Sequence, residues 1–277
     1  PSRMSTNSRT PGERVTSLGN ERPPVFVLAP PADLLVDLLS HLYTNPPIEG
    51  IGDTVPVRVI CTPDVLKDVV DALKFGNVAA ELTRREVLEI RHHTLDNISP
   101  MIVNEGALYG VMRLGRQNYH PCSADEKGSV RVAYNRAAQL WDQATELDGI
   151  DAPEWGEIER SLVDYTSKST FETLDRLIEH RRDLSANGRP GVSSLLVLAG
   201  AAGQVQQKDL VGWSEQYNIR SASAISKRKR DLEDKGIISD SQRFTGDGRP
   251  ASVLDFGDAR YHDQPPDRLL EIISEVM

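Results

Sequence analysis

SAISKRKRDLEDKGII, residues 223–238, places four consecutive cations, Lys227 to Arg230, in a chain of 277 residues whose net charge is −9. The cations are followed at once by Asp231, Glu233 and Asp234. At about 100° per residue, a helix that sets Ile225 at zero brings Leu232 to roughly −20°. These two residues mark a buried seam. On the same wheel Ser223 falls near 160°, Lys227 near 200° and Arg230 near 140°, so the three point outward. Ser226 lies on their shoulder. Arg228 and Lys229 flank the seam, where long stems lie along apolar surface and the heads reach outward. Hydroxyls and cations on one outward face suit a helix lying in a major groove. The plainer alternative is a solvated charged face.

The surroundings favour the first reading. SSLLVLAGAAGQ and QQKDLVGWSEQYN read as two helices before it. Ser221 and Ser223 are good N-cap residues, and Gly236 suits the C-terminal end. IISDSQRF and PASVLDF flank Gly246–Asp247–Gly248, a hairpin signal. Three helices and a hairpin form a winged helix-turn-helix. Arg220 precedes the third helix, and Arg243 and Arg249 stand either side of the hairpin tip, placed to meet backbone phosphates or a minor groove. Residues 219–249 carry eight cations and five carboxylates, a positive patch on an acidic molecule. The expected contacts with double-stranded DNA are Arg220, Ser223, Ser226, Lys227, Lys229, Arg230, Arg243 and Arg249.

The rest of the chain reads as follows. Residues 1–22 are polar and are expected to be disordered. A strand near 25–29, a leucine-rich helix over 31–43, a second strand near 55–61 and a helix DVLKDVVDAL suggest a parallel α/β unit. VLEIRHHT alternates, and ISPMIVNEGALYGVMRL reads as a hairpin turning at Asn104–Glu105–Gly106. A helix over 129–147 closes the unit. The expected organisation is a tail at 1–22, an α/β domain at 23–148, a helical connector at 149–190, the winged helix at 191–260 and an amphipathic helix at 261–277. That last helix packs on its own domain or pairs with a second copy. Winged-helix regulators read two half-sites as symmetric dimers, so a homodimer is expected.

Composition narrows the function. The chain has 24 Arg, 8 Lys and 41 carboxylates. Such a balance suits concentrated salt, or else reflects Arg-rich codon usage. No apolar run reaches the length of a membrane helix, and no secretory signal pattern stands at the start, so a cytoplasmic protein is expected. Cys61 and Cys122 have no metal spacing and read as reduced thiols. His92 and His93 point to opposite faces of a strand and cannot easily share a metal. Arg91 and His93 do share a face, and with Asn104, Tyr109 and Arg113 they form a candidate anionic pocket, against the plainer reading of ordinary strand surface. No phosphate-binding loop or other cofactor motif is present.

The stretch from LLVLAGAAGQ through Trp213, Ser221–Ser226, Leu232–Gly236 and Gly248–Pro250 resembles the C-terminal winged helix of the TbsP family of haloarchaeal transcriptional regulators. VRVICTPDVL, MIVNEGALYGVM and VRVAYNRAAQLWDQA more loosely resemble TrmB-like sensor domains of phospholipase D-like fold. The resemblance implies a regulator of sugar metabolism genes, tuned by a small metabolite such as a sugar or sugar phosphate. No His is followed by Lys two positions later, so the hydrolytic motif of phospholipase D enzymes is missing and no catalytic residue is expected. A protein-interaction module and a degenerate phospholipase D-type enzyme are the competing readings.

Overall fold

The computed structural model describes residues 10–21, 24–46, 56–70, 72–114, 118–124, 127–147, 149–181, 190–243, 251–262 and 264–276, with the side chains of 19–21, 112–114, 118–124 and 276 left out. The chain divides into two compact units between Glu154 and Trp155.

The first unit begins with helix α1 (Pro11–Glu21), where disorder is expected over 1–22. A local device starts it. Thr10 Oγ1 accepts from the Glu13 amide at 3.3 Å, and Glu13 Oε2 accepts from the Thr10 amide at 2.8 Å. This is a capping box, with Pro11 at the first helical position. The helix has too few apolar residues for a core of its own. It buries Val15 and Leu18 by lying on helix α2 (Ala32–Thr44). Residues 1–9 and 22 lie outside the described residues.

A seven-stranded sheet follows, in the order β6-β5-β4-β1-β2-β3-β7. Its strands are β1 (Val25–Leu28), β2 (Val57–Cys61), β3 (Leu88–His92), β4 (Met101–Val103), β5 (Leu108–Leu114), β6 (Asn118–Ala124) and β7 (Thr145–Glu146). β1, β2 and β3 pair in parallel; the remaining pairs are antiparallel. β1 is buried throughout, as a central strand covered on both faces should be. Phe26, Leu28 and Ile60 pack against Ala137, Leu140 and Trp141 of helix α5 (Lys127–Gln143).

Between β2 and β3 the chain makes two helices, α3 (Pro63–Val70) and α4 (Leu73–Arg84), where the sequence suggests one. Gly76 lies so close to the Val70 carbonyl that a Cβ would collide with it. The β4–β5 turn forms where expected, because Asn104 Oδ1 accepts from the amides of Gly106 and Ala107 at 2.9 and 2.8 Å. β6 is not expected from NYHPCSA. It lies at one end of the sheet with Pro121 opposite Val111, and an edge strand tolerates proline.

The second unit contains α6 (Trp155–Tyr165), α7 (Lys168–His180), α8 (Val192–Ala202), α9 (Gln207–Gln216), α10 (Ala222–Glu233), strands β8 (Ile238–Arg243) and β9 (Ala251–Phe256), and α11 (Pro266–Val276). α8, α9, α10 and the β8–β9 hairpin form the expected winged helix. α6 and α7 belong to the same unit instead of standing between two domains. Trp213 is fully buried and its Nε1 donates to Ser161 Oγ on α6 at 2.9 Å. Gly203, ending α8, approaches Thr170 of α7 too closely for any Cβ. α11 packs against α7 and buries Leu269, Leu270 and Ile273 within this unit. The hairpin is tied down where the Leu254 amide donates to the Val205 carbonyl at 2.9 Å.

Candidate nucleic-acid interface

α10 is capped by Ser221, whose Oγ accepts from the Ala224 amide. Ile225 and Leu232 are both fully buried, which fixes the helix's rotation about its axis. Ser223, Lys227 and Arg230 are accordingly exposed, and Ser226 is half-buried. Among the described residues no ion pair is made by Lys227 or Arg230; Arg230 Nε only reaches the Ser226 carbonyl at 3.4 Å. Their charges are available to a ligand outside the chain. Arg220 is exposed before the helix, with its Nη1 on the Ile219 carbonyl at 2.9 Å, and Arg243 is exposed at the end of β8. Arg249 lies outside the described residues.

Lys229 is placed differently from the expectation. It is only 9% exposed, and its Nζ meets Asp240 Oδ2 at 2.6 Å and Glu233 Oε1 at 3.1 Å. Burial alone lowers its pKa, but hydrogen bonds and charges from Asp240 and Glu233 outweigh that and raise it. Its angle, about 40° from Ile225, puts it on the core side of the helix. Its ammonium therefore joins α10 to β8 and is not offered to a phosphate. Arg228 also turns inward, with Nε on Ser194 Oγ at 2.6 Å and Nη1 3.6 Å from Asp231.

Two contacts were not legible from spacing. Gln207 Nε2, at the start of α9, donates to Ser226 Oγ at 3.0 Å. Glu215 Oε1 accepts from the Ala222 amide at 2.9 Å, so a carboxylate occupies the first turn of α10, where the helix end favours an anion.

In the first unit the four described side chains of the candidate anionic pocket, Arg91, His93, Asn104 and Tyr109, do not converge. Arg91 lies over the Trp141 ring at 4.4 Å and donates to the Trp141 carbonyl at 2.9 Å. Asn104 is buried in its turn, and Tyr109 carries the Arg14 guanidinium at 5.1 Å. The Arg113 side chain lies outside the described residues. Of these four described side chains only His93 lines a groove of about 810 Å3 between residues 93–101 and α5. Leu28, Met101, Val132 and Leu140 supply apolar walls there, and Asp96 and Arg136 supply charges. The groove sits past the carboxyl ends of β1 and β3, where the chain crosses from β3 to β4 on the other side of β1. Ligands of open α/β sheets bind at such reversals of strand order. Cys61, which ends β2, is buried, its thiol pushed up to about 12 by desolvation. Among the described residues no group of three or more His, Cys, Asp or Glu side chains is arranged to hold a metal ion. No described helix is long and apolar enough to cross a membrane.

A winged helix carrying an outward cationic helix face, joined to an α/β unit, defines a DNA-binding regulator. The chain belongs to the TbsP-like transcriptional regulators: residues 13–148 match the family's N-terminal region and residues 154–274 its C-terminal HTH domain. Among solved structures, one of TrmBL2, an archaeal chromatin protein described as showing a novel mode of DNA binding, is 14% identical with a TM-score of 0.32. That match covers 48% of this chain and 50% of the other, so this chain spans about half its length. No match is found among the curated proteins.

Proposed function

We propose that this protein binds specific operator sequences through α10 and regulates sugar-metabolism genes of a salt-adapted archaeon as a cytoplasmic homodimer. The observation that carries the reading is the sorting of α10: Ile225 and Leu232 are sealed in the core, while Ser223, Lys227 and Arg230 are exposed without ion pairs among the described residues. In this reading Lys227, Arg230, Ser223 and Ser226 face the major groove. Arg220, Arg243 and Arg249 meet backbone phosphates and set the register. The α/β unit, of phospholipase D-like fold without its chemistry, serves as a sensor. A small metabolite, a sugar or sugar phosphate, seated in the groove beside α5 would bias one arrangement of the dimer. The regulator family and the missing His-x-Lys motif both support a non-enzymatic role.

The test is operator binding by Lys227→Glu and Arg230→Glu variants, with operators first mapped by genome-wide occupancy in the presence and absence of glucose. Each variant should lose specific binding and keep its fold, since neither side chain supports the core. Unchanged affinity in both would refute the assignment of α10.

A further inference from the structure

Glu215 brings a negative charge to the leading end of the helix that carries the outward cations. It stands in the last turn of α9, and its Oε1 accepts from the amide of Ala222, the first residue of α10, at 2.9 Å. The first amides of a helix have no partner inside it and point out beyond its N-terminus. The carboxylate is therefore held ahead of α10. Glu215 is exposed, and among the described residues its carboxylate makes no ion pair and no hydrogen bond but the one to Ala222. Arg220, which lies close by in the chain, turns to the Ile219 carbonyl at 2.9 Å instead. The second oxygen, Oε2, is left to a donor outside the chain. An ionised carboxylate carries no hydrogen, so whatever it bonds must donate.

We propose that Glu215 is a specificity-determining residue: its free oxygen accepts from the N4 amine of a cytosine and so selects a C·G pair at one operator position. The inference rests on the reading of α10 as the helix that enters the major groove, where the N-terminal residues of such a helix meet base edges. Only cytosine N4 and adenine N6 offer donors in that groove. Adenine sets its N7 acceptor beside the amine, which repels a carboxylate; cytosine has no acceptor on that edge. Guanine and thymine offer acceptors and no donor there. The same charge repels the phosphates of every sequence, so a site that supplies the amine is set apart from those that do not.

The experiment is selection of bound duplexes from a randomised library by the full chain in three forms: wild type, Glu215→Gln and Glu215→Ala. Glu215→Gln is close to isosteric. Its amide oxygen still accepts from Ala222, which keeps the start of α10 in place, and its amine turns a donor outward where the acceptor stood. The cytosine preference at one position should fall about tenfold, the scale of one hydrogen bond to a charged group, while preferences at other positions and the melting temperature stay as in wild type. Glu215→Ala should flatten the same position, and it melts lower because the bond to Ala222 is lost. If no C·G position changes in Glu215→Gln, the inference is overturned even where Glu215→Ala alters binding, since Glu215 then serves only to hold the Ala222 amide. A rise in affinity that is equal for all sequences overturns it too, because the charge then acts on phosphates alone. Both results leave DNA binding by α10 intact. Absence of any selected site for the wild type would instead overturn the underlying reading of α10, and this inference with it.

Discussion

Replacing Lys229 by methionine separates the two kinds of lysine on α10. Lys229 holds Asp240 of β8 at 2.6 Å and Glu233 at 3.1 Å with only 9% of its own surface exposed. Methionine keeps most of the buried stem and removes the charge. Two carboxylates are then left facing each other without their cation. A fully buried pair broken this way costs about 3–5 kcal/mol. The Asp240 and Glu233 side chains are 43% and 28% exposed, so water relieves much of that. The remaining loss is about 1–2 kcal/mol, which lowers the melting temperature of a unit this size by roughly 4–8 °C. The comparison is Lys227→Met. That residue is exposed and unpaired among the described residues, so its loss should leave melting nearly unchanged, within about 0.5 kcal/mol. Its operator affinity should fall about tenfold. Melting by circular dichroism and operator binding by fluorescence anisotropy read the two effects on the same samples. The pH dependence has a definite sign. Lys229 is raised above its ordinary 10.5, so its contribution is complete below that value and is lost as pH climbs through the raised value. If Lys229→Met leaves melting unchanged and weakens DNA binding as Lys227→Met does, the inward placement of Lys229 is refuted.

Trp213→Phe should destabilise the protein by about 1 kcal/mol, because it removes the bond that the buried Ser161 Oγ accepts and leaves only that hydroxyl's donation to the Ile158 carbonyl at 3.1 Å; chemical denaturation curves that superimpose on wild type would contradict this. The Cys61 thiol, pushed up to about 12 from 9.0, should resist thiol reagents at pH 8 in the native state and react only after denaturation. Its contribution to stability is present below pH 9.0 and is lost as pH rises toward 12. Specific operator binding should persist near 1 M KCl with a salt slope shallower than about 0.9 per phosphate contact, since carboxylates such as Glu215 repel DNA until screened; a steep monotonic loss of affinity from low to molar KCl would count against salt adaptation.

Local patterns carried much of this fold. The wheel that buries Ile225 and Leu232 and exposes Lys227 and Arg230 follows from helical period alone. The same wheel put Lys229 about 40° from Ile225. What was not legible was its partner, because Asp240 arrives on a strand eleven residues away in the chain. The α1 signal was present in Thr10–Pro11–Gly12–Glu13, but the low apolar content of residues 1–22 masked it. The neighbours α2, β1 and β6 explain why two buried side chains, Val15 and Leu18, are enough. The placement of α6 was beyond reach for a similar reason: Trp213 and Ser161 are 52 residues apart.

The docking of α6, α7 and α11 onto the winged helix decides where this protein can be cut or recombined. A fragment of residues 191–260 holds every strand and helix of the winged helix, yet it strips the partners from Trp213 and from the α7-facing side of Gly203. Such a fragment should aggregate or bind dyes for exposed apolar surface. Residues 155–277 carry their own lining, including Leu174, Leu177, Leu269 and Ile273, all buried. A crossover at the Glu154–Trp155 boundary would move a compact unit together with its own buried core. A crossover at residue 191 would deliver a reading head without its frame.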